Sequence, residues 1–329
     1  MSPFSHRLAI VTSHPIQYYA PWFRSMTQED LNLNVFYLWN PHETSSHDPG
    51  FQRQVVWDVP LLEGYPHEFI PNTSPDPGTH HPAGLQNPEL ISRLRSWKPS
   101  AVLMLGFHWD SMRQLIQSWQ PDDPALILRG DSHDLARPWN LATLIRPWIS
   151  RFIFRHFQAF LSCGTANTQY FLHRGARQEQ IFPCPHAINM DHFRRSETIL
   201  AQAYQLRQSL GLRENQRLIL FAGKFEPKKR PLDLVKAFQS LNPRDAALLF
   251  VGSGELEQSL HNVTEKDPRI HILPFTNQSA MPSVYVAADL FVLPSFGPSE
   301  TWGLAVQESL ACGTPVLVSH HAGCISIWF

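Results

Sequence analysis

The chain has 329 residues, 43% of them hydrophobic, with 27 Lys and Arg against 28 Asp and Glu, a formal net charge of −1. That length admits two domains of about 100–200 residues each. The near-neutral balance gives no global field for nucleic acid, and no uncharged apolar stretch approaches the ~18 residues of a membrane span.

The N-terminus, MSPFSHRLAIVTSHP, has no long apolar region, so it is not read as a signal peptide. Residues 8–12 are a short apolar run ending in Ser13-His14-Pro15, a first strand feeding a loop. Tyr18, Tyr19, Trp22, Phe23 and Met26 then recur at helical spacing, and 33–39 is the second strand. The chain thus opens β-α-β, with its first turn at the carboxyl edge of a parallel sheet, where ligands sit. No G-x-G-x-x-G follows, so a dinucleotide fingerprint is not supported. Residues 71–88 hold five prolines and no periodicity, and a disordered loop or an acceptor-side lid is expected there.

Strands follow at 101–105 and 125–128. They end in the polar stretches Gly106-Phe107-His108-Trp109-Asp110 and Arg129-Gly130-Asp131-Ser132-His133-Asp134. Two successive strands ending in His- and Asp-bearing loops concentrate polar groups where a cleft would lie. Residues 141–161 form a helix with Leu141, Ile145, Trp148, Phe152 and Phe160 on one side, Arg146, Arg151 and Arg155 elsewhere, and Pro147 kinking it. An ordinary core helix with a solvated arginine face is the favoured reading. Peripheral association with an anionic membrane surface is the other. A strand at 159–163 and a helix at 165–173 close this half.

Residues 195–208 are polar and helix-prone and read as a linker. A strand at 218–221 runs into Ala222-Gly223-Lys224-Phe225-Glu226-Pro227-Lys228-Lys229-Arg230-Pro231 and a helix at 232–241. Lys224 and Lys229, five positions apart ahead of a helix N-terminus, suit an anion, although a solvated basic loop has the same look. Strands at 246–251 and 270–273 follow, the first closed by Gly252-Ser253-Gly254 and the second by Pro274-Phe275. A helix at 282–288 precedes the apolar run 290–293, a Gly/Pro loop, a helix at about 302–311, Gly313 as a stop, and a last strand at 316–318. Glu300 lies at the mouth of that helix. Glu308, eight positions on, stands roughly 12 Å further along it. The two are read either as a dipole-favoured charge and a solvated face charge, or as paired hydroxyl acceptors. Glu308 falls among Leu304, Ala305, Leu310 and Ala311, where a carboxylate needs a partner, and sugar or ribose hydroxyls are such partners.

The four cysteines, Cys163, Cys184, Cys312 and Cys324, are scattered without a C-x-x-C, so reduced thiols, a cytosolic setting and no metal site are expected. His80-His81 and His320-His321 are read as solvated loop residues.

The stretch from Pro294 to Val318 resembles the donor-site signature of the retaining family-4 glycosyltransferases (glycosyl transferases group 1). Their E-x7-E is matched by Glu300 and Glu308 within P-S-x-x-E-x-x-G-L-x-x-x-E-x-x-A-x-G-x-P-V. The resemblance continues in their G-R/K-x4-K, matched by Lys224 and Lys229, with Lys in place of the commoner Arg at 224. It is weaker over 1–195. There, His14-Pro15-Ile16-Gln17 replaces a Gly-Gly pair and is similar to an H-P-x-Q-Y turn of some bacterial glycosyltransferases, with His14 and Gln17 as phosphate or acceptor contacts. Residues 185–193 resemble the family's N-G-V-D-x-x-x-F segment.

The resemblance implies an α/β fold of the GT-B type, two Rossmann-like domains facing across a cleft: an acceptor-side domain over 1–195, a linker over 196–215 and a nucleotide-sugar domain over 216–329. The family continues past the point where this chain ends in Cys324-Ile325-Ser326-Ile327-Trp328-Phe329, so a truncated second domain is expected. The implied activity is retaining transfer of a hexose from a UDP- or GDP-linked sugar, as substrate rather than cofactor, to a glycan or lipid-linked acceptor. Glu308 would hold the ribose and Glu300 the hexose. Lys224 and Lys229 would hold the diphosphate, and Phe275 would contact the base. His133, with Asp131 as the weaker candidate, would face the sugar or acceptor, and no metal is required. The implied place is the cytoplasm or the inner membrane face, in polysaccharide biosynthesis, with the oligomeric state open. An inactive fragment that binds nucleotide or a partner is the alternative. A sugar-nucleotide epimerase is a third reading.

Overall fold

The structure, a computed structural model, describes residues 6–41, 47–48, 50–135, 141–297 and 300–325; at 47, 48 and 141–147 it describes the backbone alone. The expectations for the extreme N-terminus, for the side chains of Leu141, Ile145, Arg146 and Pro147, and for Ser326-Ile327-Trp328-Phe329 lie outside what is described. Two compact units emerge. One comprises residues 1–46 and 60–187, the other residues 47–59 and 188–329. The expected domain change at 195 thus falls at 187/188, and a short internal segment belongs to the second unit.

In chain order the elements begin with β1 (Arg7–Thr12), α1 (Tyr19–Gln28) and β2 (Asn32–Tyr37). The two-residue strands β3 (His47–Asp48) and β4 (Arg53–Gln54) form an antiparallel pair in the second unit. The first unit resumes with β5 (His67–Phe69), α2 (Leu90–Trp97), β6 (Ala101–Leu105), α3 (Asp110–Ser118), β7 (Ala125–Gly130), α4 (Leu141–Phe154), β8 (Ala159–Ser162), α5 (Thr165–His173) and β9 (Ile181–Pro183). Its seven strands are all parallel, in the order β5-β2-β1-β6-β7-β8-β9. From β1 the chain winds one way to β2 and β5. It then returns to the other side of β1 for β6, so the direction of winding reverses between β1 and β6.

The strands are apolar runs because both faces of the sheet are covered. Ala9, Val11, Phe36, Val102, Met104 and Leu126 pack on one side, and Ile10, Val35, Tyr37 and Leu103 on the other. The expected disorder over 71–88 is corrected. Asn72 donates from Nδ2 to the Gly84 carbonyl (2.8 Å), and Ser74 Oγ donates to Ala83 O (2.6 Å). Asn87 Nδ2, buried, donates to the carbonyls of Leu38 and Ile70, both at 2.9 Å. Polar side chains supply here the backbone partners that periodicity supplies elsewhere.

The second unit holds α6 (Met190–Phe193), α7 (Glu197–Ser209), β10 (Arg217–Ala222), α8 (Pro231–Leu241), β11 (Ala246–Val251), α9 (Glu257–Thr264), β12 (Ile270–Leu273), α10 (Met281–Ala287), β13 (Leu290–Leu293), α11 (Leu304–Ala311) and β14 (Val316–Val318). Its five parallel strands run β12-β11-β10-β13-β14, so the winding reverses between β10 and β13. The polar, helix-prone stretch read as a linker forms helix α7, capped by Ser196 Oγ at Ile199 N–H. It packs on α10, and Arg207 ties it to the Ala287 carbonyl (2.7 Å) and the Asp289 carboxylate (3.1 Å). Helix α11 begins at Leu304, later than its apolar pattern indicates, because Gly303 adopts φ 96°, a left-handed conformation that closes the loop rather than extending the helix.

Candidate functional site

Strands β10 and β13 are neighbours, so the loops leaving their carboxyl ends emerge side by side. Phe296 N–H donates to the Lys228 carbonyl (2.8 Å), binding one loop to the other. Across this seam the Lys229 ammonium rests on the Glu300 carboxylate. Glu300 is only 5% exposed. A buried carboxylate with an ammonium on it and the open edge of a sheet above is a charge-rich place at the point where strand order reverses, the location where open α/β sheets bind ligands. The loop after β11 closes the other side. Gly223 and Phe225 N–H donate to the carbonyls of Val251 (3.0 Å) and Ser253 (2.9 Å). A Cβ on Gly252 would stand 2.0 Å from the Gly223 carbonyl oxygen, so this crossing of loops requires glycine.

Glu308 lies about one turn into α11, 3% exposed, and accepts from Tyr285 Oη (2.6 Å) and Gln278 Nε2 (3.2 Å). A carboxylate in this small-residue setting did need partners, and α10 and the loop before it provide two. Arg195 anchors the far end of the helix by donating to the Cys312 and Gly313 carbonyls. Burial pushes the Cys312 thiol up to about 12, with the nearby Glu308 charge adding to the effect.

Lys224 sits over the Phe51 ring, 4.8 Å from its centroid. Phe275 packs edge-on against Phe51 (4.8 Å) and Trp57 (5.9 Å), with the Arg53 guanidinium 5.2 Å from its ring. An open groove of about 600 Å³ runs here, with Phe51, Arg53, Ser253, Glu255, His261 and Phe275 on its walls. Phe51, Arg53, Trp57, Tyr285 and Gln278 were missed in the sequence. No spacing rule joins 51–57 to 275, and only the fold brings them together.

The remaining candidate, His133, belongs to the first unit and follows β7. It is 2% exposed, and its Nδ1 accepts from Leu135 N–H (3.2 Å). It does not line the cavity of about 180 Å³ at the carboxyl edge of that unit's sheet, whereas Asp131 does. Asp131 stands 3.8 Å from His186 Nε2. Burial holds the His186 ring below its usual pKa, and the Asp131 interaction only partly opposes this. His14 Nδ1 meets Ser13 Oγ at 2.9 Å, and its ring lies against Trp39.

Among the described residues, one group could hold a metal ion. His80 and His81, expected to be merely solvated, each place Nε2 3.1 Å from Asp76 Oδ2 on the ordered loop of the first unit. The cysteines form no disulfides, and Cys163, Cys312 and Cys324 are buried. Among the described residues, no helix is long and apolar enough to cross a membrane.

Residues 203–327 match the family described as Glycosyl transferases group 1. The chain is 30% identical over 125 residues to an uncharacterised glycosyltransferase of Methanocaldococcus jannaschii, covering 37% of this chain and 32% of that protein. It is 33% identical over 158 residues to a D-inositol 3-phosphate glycosyltransferase of Xylanimonas cellulosilytica, covering 45% of this chain and 37% of that protein. The chain therefore spans about a third of the length of these curated relatives. Among solved structures it is similar to Anabaena HepE in complex with UDP-glucose. That match has a TM-score of 0.67 and 17% identity, covering 97% of this chain and 82% of that one. The class that the fold defines is α/β with two parallel-sheet domains, as in GT-B glycosyltransferase structures. The second unit carries the glycosyl transferases group 1 match.

Proposed function

We propose that this chain is a retaining glycosyltransferase that moves a hexose from a nucleotide-diphosphate sugar to a glycan or lipid-linked acceptor. The observation that carries the reading is the Lys229–Glu300 pair at the β10/β13 reversal, within the stretch that matches the glycosyl transferases group 1. Lys229 would release its hold on Glu300 in favour of the donor diphosphate and neutralise the charge that grows on the leaving group, where electrostatic catalysis is strongest. Glu300 would then accept from hexose hydroxyls. Glu308, already oriented by Tyr285 and Gln278, would accept from the ribose, and the groove beside Phe275 would take the base. Lys224 adds a second positive charge on the same loop. The binding of UDP-glucose by HepE supports the donor class.

Four unpaired cysteines support a reducing, cytoplasmic setting. Exposed aromatic and basic residues on α4 support peripheral attachment to a membrane.

The test is release and transfer of sugar from UDP- and GDP-sugars by the purified chain. Lys229→Ala and Glu300→Ala are each expected to lower kcat/KM by about 10²-fold with folding intact. UDP binding without turnover from any donor would overturn the catalytic reading.

A further inference from the structure

At the carboxyl edge of the first unit, where β1 and β6 reverse the winding, a cavity of about 180 Å³ opens between Thr12, Tyr19, Trp109, Arg129 and Asp131. Arg129 closes the apolar strand Ala125–Gly130 and is 4% exposed. A guanidinium offers five N–H donors. Arg129 Nη1 reaches the Tyr19 hydroxyl at 3.5 Å, Nη2 reaches the Cys184 carbonyl at 3.4 Å, and Nε is buried without an acceptor among the described residues. Both contacts are long and both acceptors are neutral. Among the described residues, no carboxylate lies within ion-pair distance of this guanidinium. The acid on the cavity wall, Asp131, is set against His186 instead.

The Tyr19 and Trp22 rings, with centroids 5.6 and 5.0 Å from the guanidinium carbon, replace only part of the hydration lost on burial. A buried cation without a counter-charge is among the costliest groups a fold can carry, and an apolar side chain would fill the same space without that cost. Tyr19, Phe107 and Trp109 also line the cavity, so aromatic side chains stand among its polar groups.

We propose that Arg129 marks a subsite in this cavity for the anionic group, carboxylate or phosphate, of the acceptor sugar. Calling the ligand the acceptor rests on the glycosyltransferase reading, whereas the anion subsite does not. The guanidinium would take two oxygens of the incoming group side by side, exchanging the long neutral contact to the Cys184 carbonyl for charge-assisted bonds. The Tyr19 hydroxyl would keep its place beside Nη1.

Titration calorimetry of the full chain with glucose, glucuronate and glucose 6-phosphate, and separately with UDP, tests this. One or both anionic sugars should bind about tenfold or more tightly than glucose, and which one does so identifies carboxylate or phosphate. Arg129→Met should reduce the anionic sugars to the level of glucose, and Arg129→Lys should retain part of the preference. Arg129→Met should also melt at the same temperature as the parent or higher, because it removes a poorly compensated charge. A purely structural arginine would lower it. Equal affinity for glucose and both anions, failure of all three to bind at millimolar concentration, or an anionic preference that survives in Arg129→Met would each overturn the proposal. UDP binding with no anionic preference sinks this subsite alone. Anionic preference without UDP binding sinks the donor reading and leaves the anion site standing.

Discussion

Lys229 and Glu300 form an ion pair in which the carboxylate is nearly buried, unlike the exposed pairs of the surface. The Glu300 carboxylate has little access to water and is compensated by the partly exposed Lys229 ammonium, so removing that lysine would leave a buried charge poorly paired. Histidines show the opposite economy. Burial holds the rings of His156, His186 and His271 below the usual histidine pKa. The folded chain therefore binds fewer protons than the unfolded chain as the pH falls below about 6.5, and stability decreases with acidification in that window. The melting temperature is expected to drop between pH 7.5 and 5.5, and His186→Gln should flatten that slope. An unchanged slope in His186→Gln would remove that residue from the account. The small apolar neighbours of Glu308 left it either as a solvated face charge or as a carboxylate in need of partners, and burial decides for the second. Those neighbours gave no indication of Tyr285 and Gln278, which are nearby only because α10 packs on α11.

At the scale of the element, α4 departs most from its pattern. Helical spacing puts Trp148 and Phe152 on the core side, yet they are 73% and 66% exposed, with Ile149 exposed beside them. Arg151 and Arg155 are exposed as well, and Arg155 lies 4.3 Å from the Phe152 ring centroid. The core contacts come instead from Phe154 and, more loosely, Ile153. A helix that turns aromatic rings and cations to solvent together has the composition of a membrane-surface helix. The full chain is expected to sediment with vesicles containing anionic lipid and much less with neutral ones. Trp148→Ser with Phe152→Ser should weaken this binding at least tenfold, because each ring contributes about 1.5–3 kcal/mol on burial. Equal sedimentation of the double variant would rule out this face. The loop over 71–88 teaches a complementary lesson. Its order comes from Asn72, Ser74 and Asn87 side chains bonded to distant carbonyls, and hydrophobic periodicity is blind to that.

At the scale of the molecule, the second unit borrows residues 47–59 from the middle of the first unit's sequence. Phe51 and Trp57 cover Phe275, Ser253 Oγ donates to the Phe51 carbonyl (2.9 Å), and Asn277 Nδ2 donates to the Val56 carbonyl (2.6 Å). Phe51→Ala should therefore destabilise the second unit by about 1.5–2.5 kcal/mol, half the cost of a fully buried ring, because Phe51 is half-buried. Hydrogen exchange in the full-length protein should show the loss around 223–226, 252–256 and 274–279, with the first unit's strands protected as before. Faster exchange throughout the first unit would contradict the assignment of 47–59.

The amino-acid sequence by itself determined the α/β class, the alternation of strand and helix in both halves, and the loop and helix on which Lys224, Lys229, Glu300 and Glu308 stand. Those features are written in local periodicity and in short ordered spacings along one loop or one helix. Only the tertiary structure decided that the loops after β10 and β13 are neighbours, that 47–59 belongs with the second unit, and that Arg129 is buried without a counter-charge. Each of these depends on which strands pair across long stretches of chain, and side-chain burial follows from that pairing rather than from any local pattern.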